Sequence, residues 1–157
     1  MTALESEFLF EMKAGLGGMI PVGPGPLGNR VIVTVPGGTF EGPKLKGTIV
    51  ANSGADWAYI RNDGSLALDV RLCLETDDGA FIYMTYTGRI VPSSPEQLAE
   101  ILDFNRAEPV DPATYYFRSN PVFETGSEQY AWLNSIVAVG KGRAGDGGVA
   151  YDVFAIK

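Results

Sequence analysis

Apolar and polar positions alternate with a period of two through much of the chain, and two Asp-Gly steps cut the longest such stretch, residues 55–91, into three strands. Asp63-Gly64 and Asp78-Gly79 each read as a two-residue type I′ hairpin loop, in which both central residues need positive φ. Counting outward from the first turn sets Ile60 opposite Ala67, Ala58 opposite Asp69 and Asp56 opposite Arg71. The second turn sets Glu75 opposite Ile82, Cys73 opposite Met84 and Arg71 opposite Tyr86. Opposed residues share a face of the sheet, so Asp56, Asp69, Arg71, Ile82, Met84 and Tyr86 are expected to look one way. Leu68, Val70, Leu72 and Leu74 look the other way. The first face mixes small, apolar and oppositely charged groups, unlike a solvated sheet, and is read as the lining of a cavity. The competing assignment makes the leucine stripe plain core and leaves the charged face in water; a one-residue slip in either hairpin converts one into the other.

The same alternation predicts strands over 4–13, 29–35, 44–51, 114–124, 129–140 and 148–156. Residues 15–28 carry too many Gly and Pro for helix or strand, and the PGGTFEGP segment reads as a turn. One helix is expected after Ser94. This serine caps, Pro95 suits the first turn, Gln97 completes a capping box, and Leu98, Ile101 and Leu102 form one apolar stripe. About nine antiparallel strands with one short helix predict a single all-β domain over 1–157, a closed or nearly closed β-barrel. Closure removes the edges that long strands otherwise expose, and small barrels hold one ligand in the mouth or interior.

The 157 residues include 20 Gly, 10 Pro and 45% hydrophobic residues, which suits a folded β protein with many turns. A net charge of −7, with no basic cluster along the sequence, argues against nucleic acid as a partner. No apolar run is long enough to cross a membrane and the acidic first residues do not resemble a signal peptide, so no membrane partner and a cytoplasmic location are expected. The lone cysteine, Cys73, cannot form an internal disulfide. Absence of histidine removes Ser-His-Asp and Cys-His chemistry and imidazole metal sites. Any catalysis must use carboxylates, Tyr, Lys, Arg, Cys or backbone groups. Gly15, Gly17 and Gly18 lack the strand-loop-helix context of a nucleotide-binding loop.

Asp56, Asp69, Arg71 and Tyr86 form the candidate catalytic set. A guanidinium between two carboxylates fixes and ionises them, while a phenol donates to a bound oxygen. The alternative is an ion-pair network that only cross-links strands. Tyr130, Trp132 and Asn134 alternate on one predicted strand face, and with Arg118, Met84 and Ile82 they make the candidate substrate-binding wall.

The segments GNRVIVTVPGGTFEGPKLKGTI, GADWAYIRNDGSLALDVRLCLETDDGAFIYMTYTG, YYFRSNPVFETGSEQYAWLN and VAYDVF resemble the domain-of-unknown-function family 3237, over nearly the whole chain. The resemblance implies a compact antiparallel β-barrel. It also implies cofactor-free ring closure in natural-product pathways, such as intramolecular addition of a hydroxyl to an alkene or enone. The family motif carries onto Arg30, Gly38, Gly42, Asp56, Trp57, Asp63, Gly64, Asp69, Arg71, Asp78, Gly79, Tyr86, Gly88, Phe117, Arg118, Trp132 and Asn134.

Together these readings predict a cofactor-independent cyclase, isomerase or lyase acting on a small, largely apolar oxygenated molecule, without cofactor or metal. Asp56 or Asp69 serves as acid and base, with Arg71 and Tyr86 stabilising an enolate or alkoxide. The first rival is a carrier barrel with the same cavity and no chemistry. The second is an assembly role in which the Leu68 to Leu74 stripe forms a homodimer interface.

Overall fold

The computed structural model describes residues 2–157. It contains twelve strands, one α-helix and one 3-10 helix: β1 (Ser6–Gly15), β2 (Met19–Gly25), β3 (Gly28–Val35), β4 (Gly38–Glu41), β5 (Lys46–Ile49), β6 (Gly54–Asp56), β7 (Tyr59–Ile60), β8 (Leu66–Thr76), β9 (Phe81–Val91), α1 (Pro95–Ile101), β10 (Tyr116–Glu124), the 3-10 helix Ala131–Ser135, β11 (Ala138–Gly145) and β12 (Gly148–Ile156). Eight of these close a ring in the order β8-β5-β4-β1-β12-β11-β10-β9, with β9 returning to β8. The predicted antiparallel barrel is therefore observed.

β8 is long enough to serve two neighbours along one edge. Leu74 to Thr76 pair with β5 and stay within the ring, whereas Leu66 to Arg71 pair with the short β6 and β7. β6 and β7 continue into β3 and then β2, a branch that extends the wall at one end of the barrel. β2 runs through the stretch expected to be irregular. As the outermost strand of the branch it tolerates Pro21 and Pro24, because an edge position does not need every ladder hydrogen bond. The expected turn after β3 likewise contains β4, which pairs with β1 and β5.

The register around both Asp-Gly steps differs from expectation by one residue. Arg61 N–H donates to Ser65 O (2.8 Å) and Thr76 N–H to Ala80 O (2.9 Å), so three residues lie within each loop instead of two. Each is a type I turn followed by a left-handed glycine, Gly64 at φ 81° and Gly79 at φ 87°. Asp56 consequently faces Val70, and Val70 faces Tyr86, while Arg71 faces Ala55 and Thr85. The stripe Leu68, Val70, Leu72 and Leu74 points inward and is buried, as the competing assignment had it, which overturns its placement on the outer face and its use as a dimer interface. Two consecutive residues with positive φ, as a type I′ turn needs, occur instead at Asp146-Gly147 (54° and 77°), joining β11 and β12 where a longer loop was expected.

Helix α1 starts where its sequence predicts, after Ser94, but ends at Ile101 after about two turns where about three were expected. Gln97 N–H donates to the Ser94 hydroxyl at 3.1 Å, and the Gln97 carbonyl accepts from Ser93 N–H, one residue before the expected partner. Leu98 and Ile101 are its buried residues. No helix among the described residues is long and apolar enough to cross a membrane.

The barrel interior is not uniform. Toward the β8–β9 hairpin it is solid, with Phe10 stacked edge-on against Phe40 (5.5 Å between centroids) and Phe123 (6.0 Å), alongside Leu72, Leu74, Ile82, Met84 and Leu133. Toward the start of β8 and the end of β9 it opens into a hollow. The far end of β8 lies about 20 Å away, six residues of strand beyond Val70.

A half-buried carboxylate in an apolar hollow

The hollow is walled by Val31, Val33 and Val35 of β3, by Ala58 between β6 and β7, and by Leu66, Leu68 and Val70 of β8. Ile101, Leu102 and Phe104 line it from α1 and the turn that follows. That covering segment is tied to the β11–β12 hairpin through Val110 N–H to Ala144 O (3.2 Å) and Ala144 N–H to the Tyr115 hydroxyl (2.8 Å). Space not filled by protein amounts to about 560 Å³ counted out through the mouth.

Three polar side chains reach this apolar space: Asp56, Tyr86 and Tyr151. Asp56 is brought inward by the shifted register that pairs it with Val33 and Val70. One of its carboxylate oxygens accepts the Asp69 backbone N–H at 3.0 Å. Burial pushes the carboxyl up to about 6, aided by the nearby Asp69 charge and opposed by the Asp69 hydrogen bond and the Arg30 guanidinium. Arg30 donates to the Trp57 carbonyl and lies 4.9 Å from the Tyr59 ring centroid.

Tyr86 and Tyr151 meet edge to face, with centroids 5.3 Å apart, and Phe117 packs against Tyr151 at 5.1 Å. Burial raises both phenols above the usual tyrosine range, and the Asp56 charge raises them further. Their hydroxyls also act on one another: Tyr151 holds its proton and favours the ionised form of Tyr86. The ensemble is a carboxyl poised to exchange a proton near neutral pH, beside two phenols that stay protonated and can donate.

Asp56 and Tyr86 of the expected catalytic set come together here; Asp69 and Arg71 do not. These two form an ion pair (3.4 Å) on the outer wall, about half exposed, with Arg71 5.3 Å from the Trp57 ring centroid. The one-residue loop extension put them outside. The expected substrate wall is also elsewhere. Residues 131–135 form a 3-10 helix, so the apparent alternation of Tyr130, Trp132 and Asn134 is not a strand face. Tyr130 donates to Asp78 at 3.0 Å, and Asn134 clasps Thr125 through both its N–H (2.8 Å) and its C=O (3.0 Å), at the closed end. Trp132 packs there under Lys44. Met84 and Ile82 are inside the barrel but within its solid half, and Arg118 points outward. Tyr151 and Arg30 escaped the expected site. Tyr151 lies in the alternating run VAYDVF, which gives its strand but not its neighbour across the barrel. Among the described residues no group of three His, Cys, Asp or Glu side chains is placed to hold a metal ion.

A family model described as protein of unknown function (DUF3237) matches residues 4–156. A UPF0311 protein of Rhodopseudomonas palustris is 34% identical over 153 residues, covering 98% of this chain and 97% of the relative. Among solved structures, a conserved protein of unknown function from the same species superposes with a TM-score of 0.89 at 32% identity, over 100% of both chains. A β-barrel-like protein from Acinetobacter baumannii gives 0.83 at 38% identity, covering 100% of this chain and 98% of that one. An enzyme from Penicillium herquei gives 0.73 at 23% identity, over 100% of this chain and 97% of that one, a likeness of fold.

Proposed function

The chain belongs to the DUF3237 family, and from that premise we propose that it is a cofactor-independent acid-base catalyst acting on a small, largely apolar oxygenated molecule held in the hollow. The single observation carrying this reading is the placement of Asp56 among aliphatic side chains in the hollow that Tyr86 and Tyr151 also line, where burial raises its carboxyl. That the Penicillium herquei protein sharing this fold is an enzyme supports a catalytic reading without lending it a reaction.

In the reaction we favour, intramolecular addition of a hydroxyl to an enone, Asp56 accepts the hydroxyl proton as the oxygen attacks the β-carbon. Electrons of the carbon-carbon double bond move toward the carbonyl, and the enolate oxygen so formed takes a hydrogen bond from Tyr86, itself oriented by Tyr151. Asp56 then returns its proton to the α-carbon, closing the ring with no gain or loss of atoms. A carboxyl near neutrality suits both transfers, because it neither holds nor releases the proton too firmly. The aliphatic walls exclude water and strengthen the phenol's contact with the developing charge.

The test is a panel of small hydroxy-enones, with binding followed by tryptophan fluorescence and ring closure by chromatography. Turnover by the wild type and its loss in Asp56→Asn, with binding retained, is the expected result. Ligands that bind both proteins equally and are never converted would make the barrel a carrier instead.

A further inference from the structure

The chain carries 12 basic residues, and eight of them lie within 4.0 Å of a carboxylate: Lys13, Lys44, Lys46, Arg61, Arg71, Arg106, Arg143 and Lys157. Among the described residues the remaining four are Arg30, bonded to the Trp57 carbonyl, and Arg89, Arg118 and Lys141. These last three stand in one cross-strand row. Arg89 of β9 is directly opposite Arg118 of β10, which is directly opposite Lys141 of β11. All three point outward; their neighbours Ile90 and Phe117 face the interior.

Like charges placed directly opposite across strands destabilise a sheet, and a chain with 19 acidic residues has carboxylates to spare for interleaving them. The next residue along the row, Asp152 of β12, is instead engaged by Arg143 at 3.1 Å. The guanidiniums are also held in place. Arg89 donates to Gly88 O at 2.7 Å, Arg118 donates to Phe117 O at 2.8 Å, and Arg118 lies 5.1 Å from the Tyr116 ring centroid. Because neighbouring strands are about 4.8 Å apart, three cations are presented within about 10 Å of wall.

We propose that this row is a binding site for a compact soluble oligophosphate, two or three linked phosphate groups, alone or as part of a small molecule. Planar guanidiniums with free donors match phosphate oxygens in geometry and charge. A bound anion would remove the repulsion that the free row carries. The short length of the row, and the acidity of the rest of the surface, select against a long polyanion, which would meet repulsion beyond the three cations. The site lies on the outside of the barrel and stands whether or not the hollow is catalytic.

The experiment is calorimetric titration at low ionic strength with inorganic tripolyphosphate and, separately, orthophosphate. Wild type is expected to bind one tripolyphosphate, more tightly than orthophosphate. Arg118→Gln and Lys141→Gln each should weaken binding about tenfold or more. Lys46→Gln, which removes a cation already paired with Asp77, should leave it unchanged. Without anion, Lys141→Gln should melt no lower than wild type, since a like-charge contact has been removed. Absence of binding, equal weakening by Lys46→Gln, or capture on phosphoinositide vesicles without binding of free tripolyphosphate would overturn the proposal.

Discussion

The barrel holds an aspartate beside tyrosine at each end, and the two are driven in opposite directions. At the hairpin end, Asp78 accepts hydrogen bonds from Thr76 and Tyr130 while remaining in contact with solvent, and the Thr76 bond above all holds its carboxyl below the usual range. At the hollow end, Asp56 has one backbone donor and aliphatic walls, and burial lifts it to about 6. Residue type is the same at both ends; hydration and donor count decide the result. Asp78 belongs to a satisfied turn that shuts the barrel, its network extended by Gln129 on the Tyr130 hydroxyl at 3.2 Å. Asp56 is kept short of partners where a ligand can supply one. The difference separates a structural carboxylate from a reactive one.

Substitutions at the two ends should break this contrast unequally. The largest effect expected is on turnover of any substrate found: Asp56→Asn should reduce it about 10² to 10⁴-fold, the range of a lost acid-base group, while Asp78→Asn stays near wild type in kcat. Next, Phe10→Ala in the solid half should cost about 3–5 kcal/mol in urea denaturation, against about 2 kcal/mol for Leu68→Ala, whose side chain already borders open space.

A smaller effect follows from linkage. Because folding raises the Asp56 carboxyl from 3.8 to about 6, the folded chain holds this proton more tightly than the unfolded chain. The stability contributed by this group is therefore greatest below about pH 4, falls as pH rises toward 6 and is flat beyond, a total of about 2–3 kcal/mol. Asp56→Asn should accordingly stabilise the protein at about pH 8 by that amount and by little at about pH 4, as read from denaturation curves at the two pH values. The smallest effect belongs to Asn134→Ala, which loses two bonds to Thr125 and should cost about 1 kcal/mol without altering ligand affinity.

The barrel and the capped helix were legible because both rest on local patterns, alternation in the strands and Ser94 with Gln97 at the helix start. The site was half legible, since its geometry depends on a single residue of loop length. Asp-Gly alone does not distinguish a two-residue from a three-residue turn. The preceding residue does carry a signal: Asn62 and Asp77, both turn formers, occupy the first corner of a type I turn, whereas Gly145 precedes the Asp146-Gly147 loop. That signal sets Val70, and not Arg71, between Asp56 and Tyr86. Tyr130 to Asn134 misled for a related reason, since five residues of 3-10 helix are too short to show a helical period. The row of Arg89, Arg118 and Lys141 is invisible along the sequence, where the three are far apart, and emerges only from pairing between strands.

The most direct test of the central claim is carbon-detected NMR titration of the aspartate side-chain carboxyls in the unliganded protein. Asp56 should titrate near 6, and Asp78 below the ordinary range. An Asp56 carboxyl that titrates at or below the ordinary value for aspartate would contradict the account, because the hollow would then hold an ordinary solvated carboxylate.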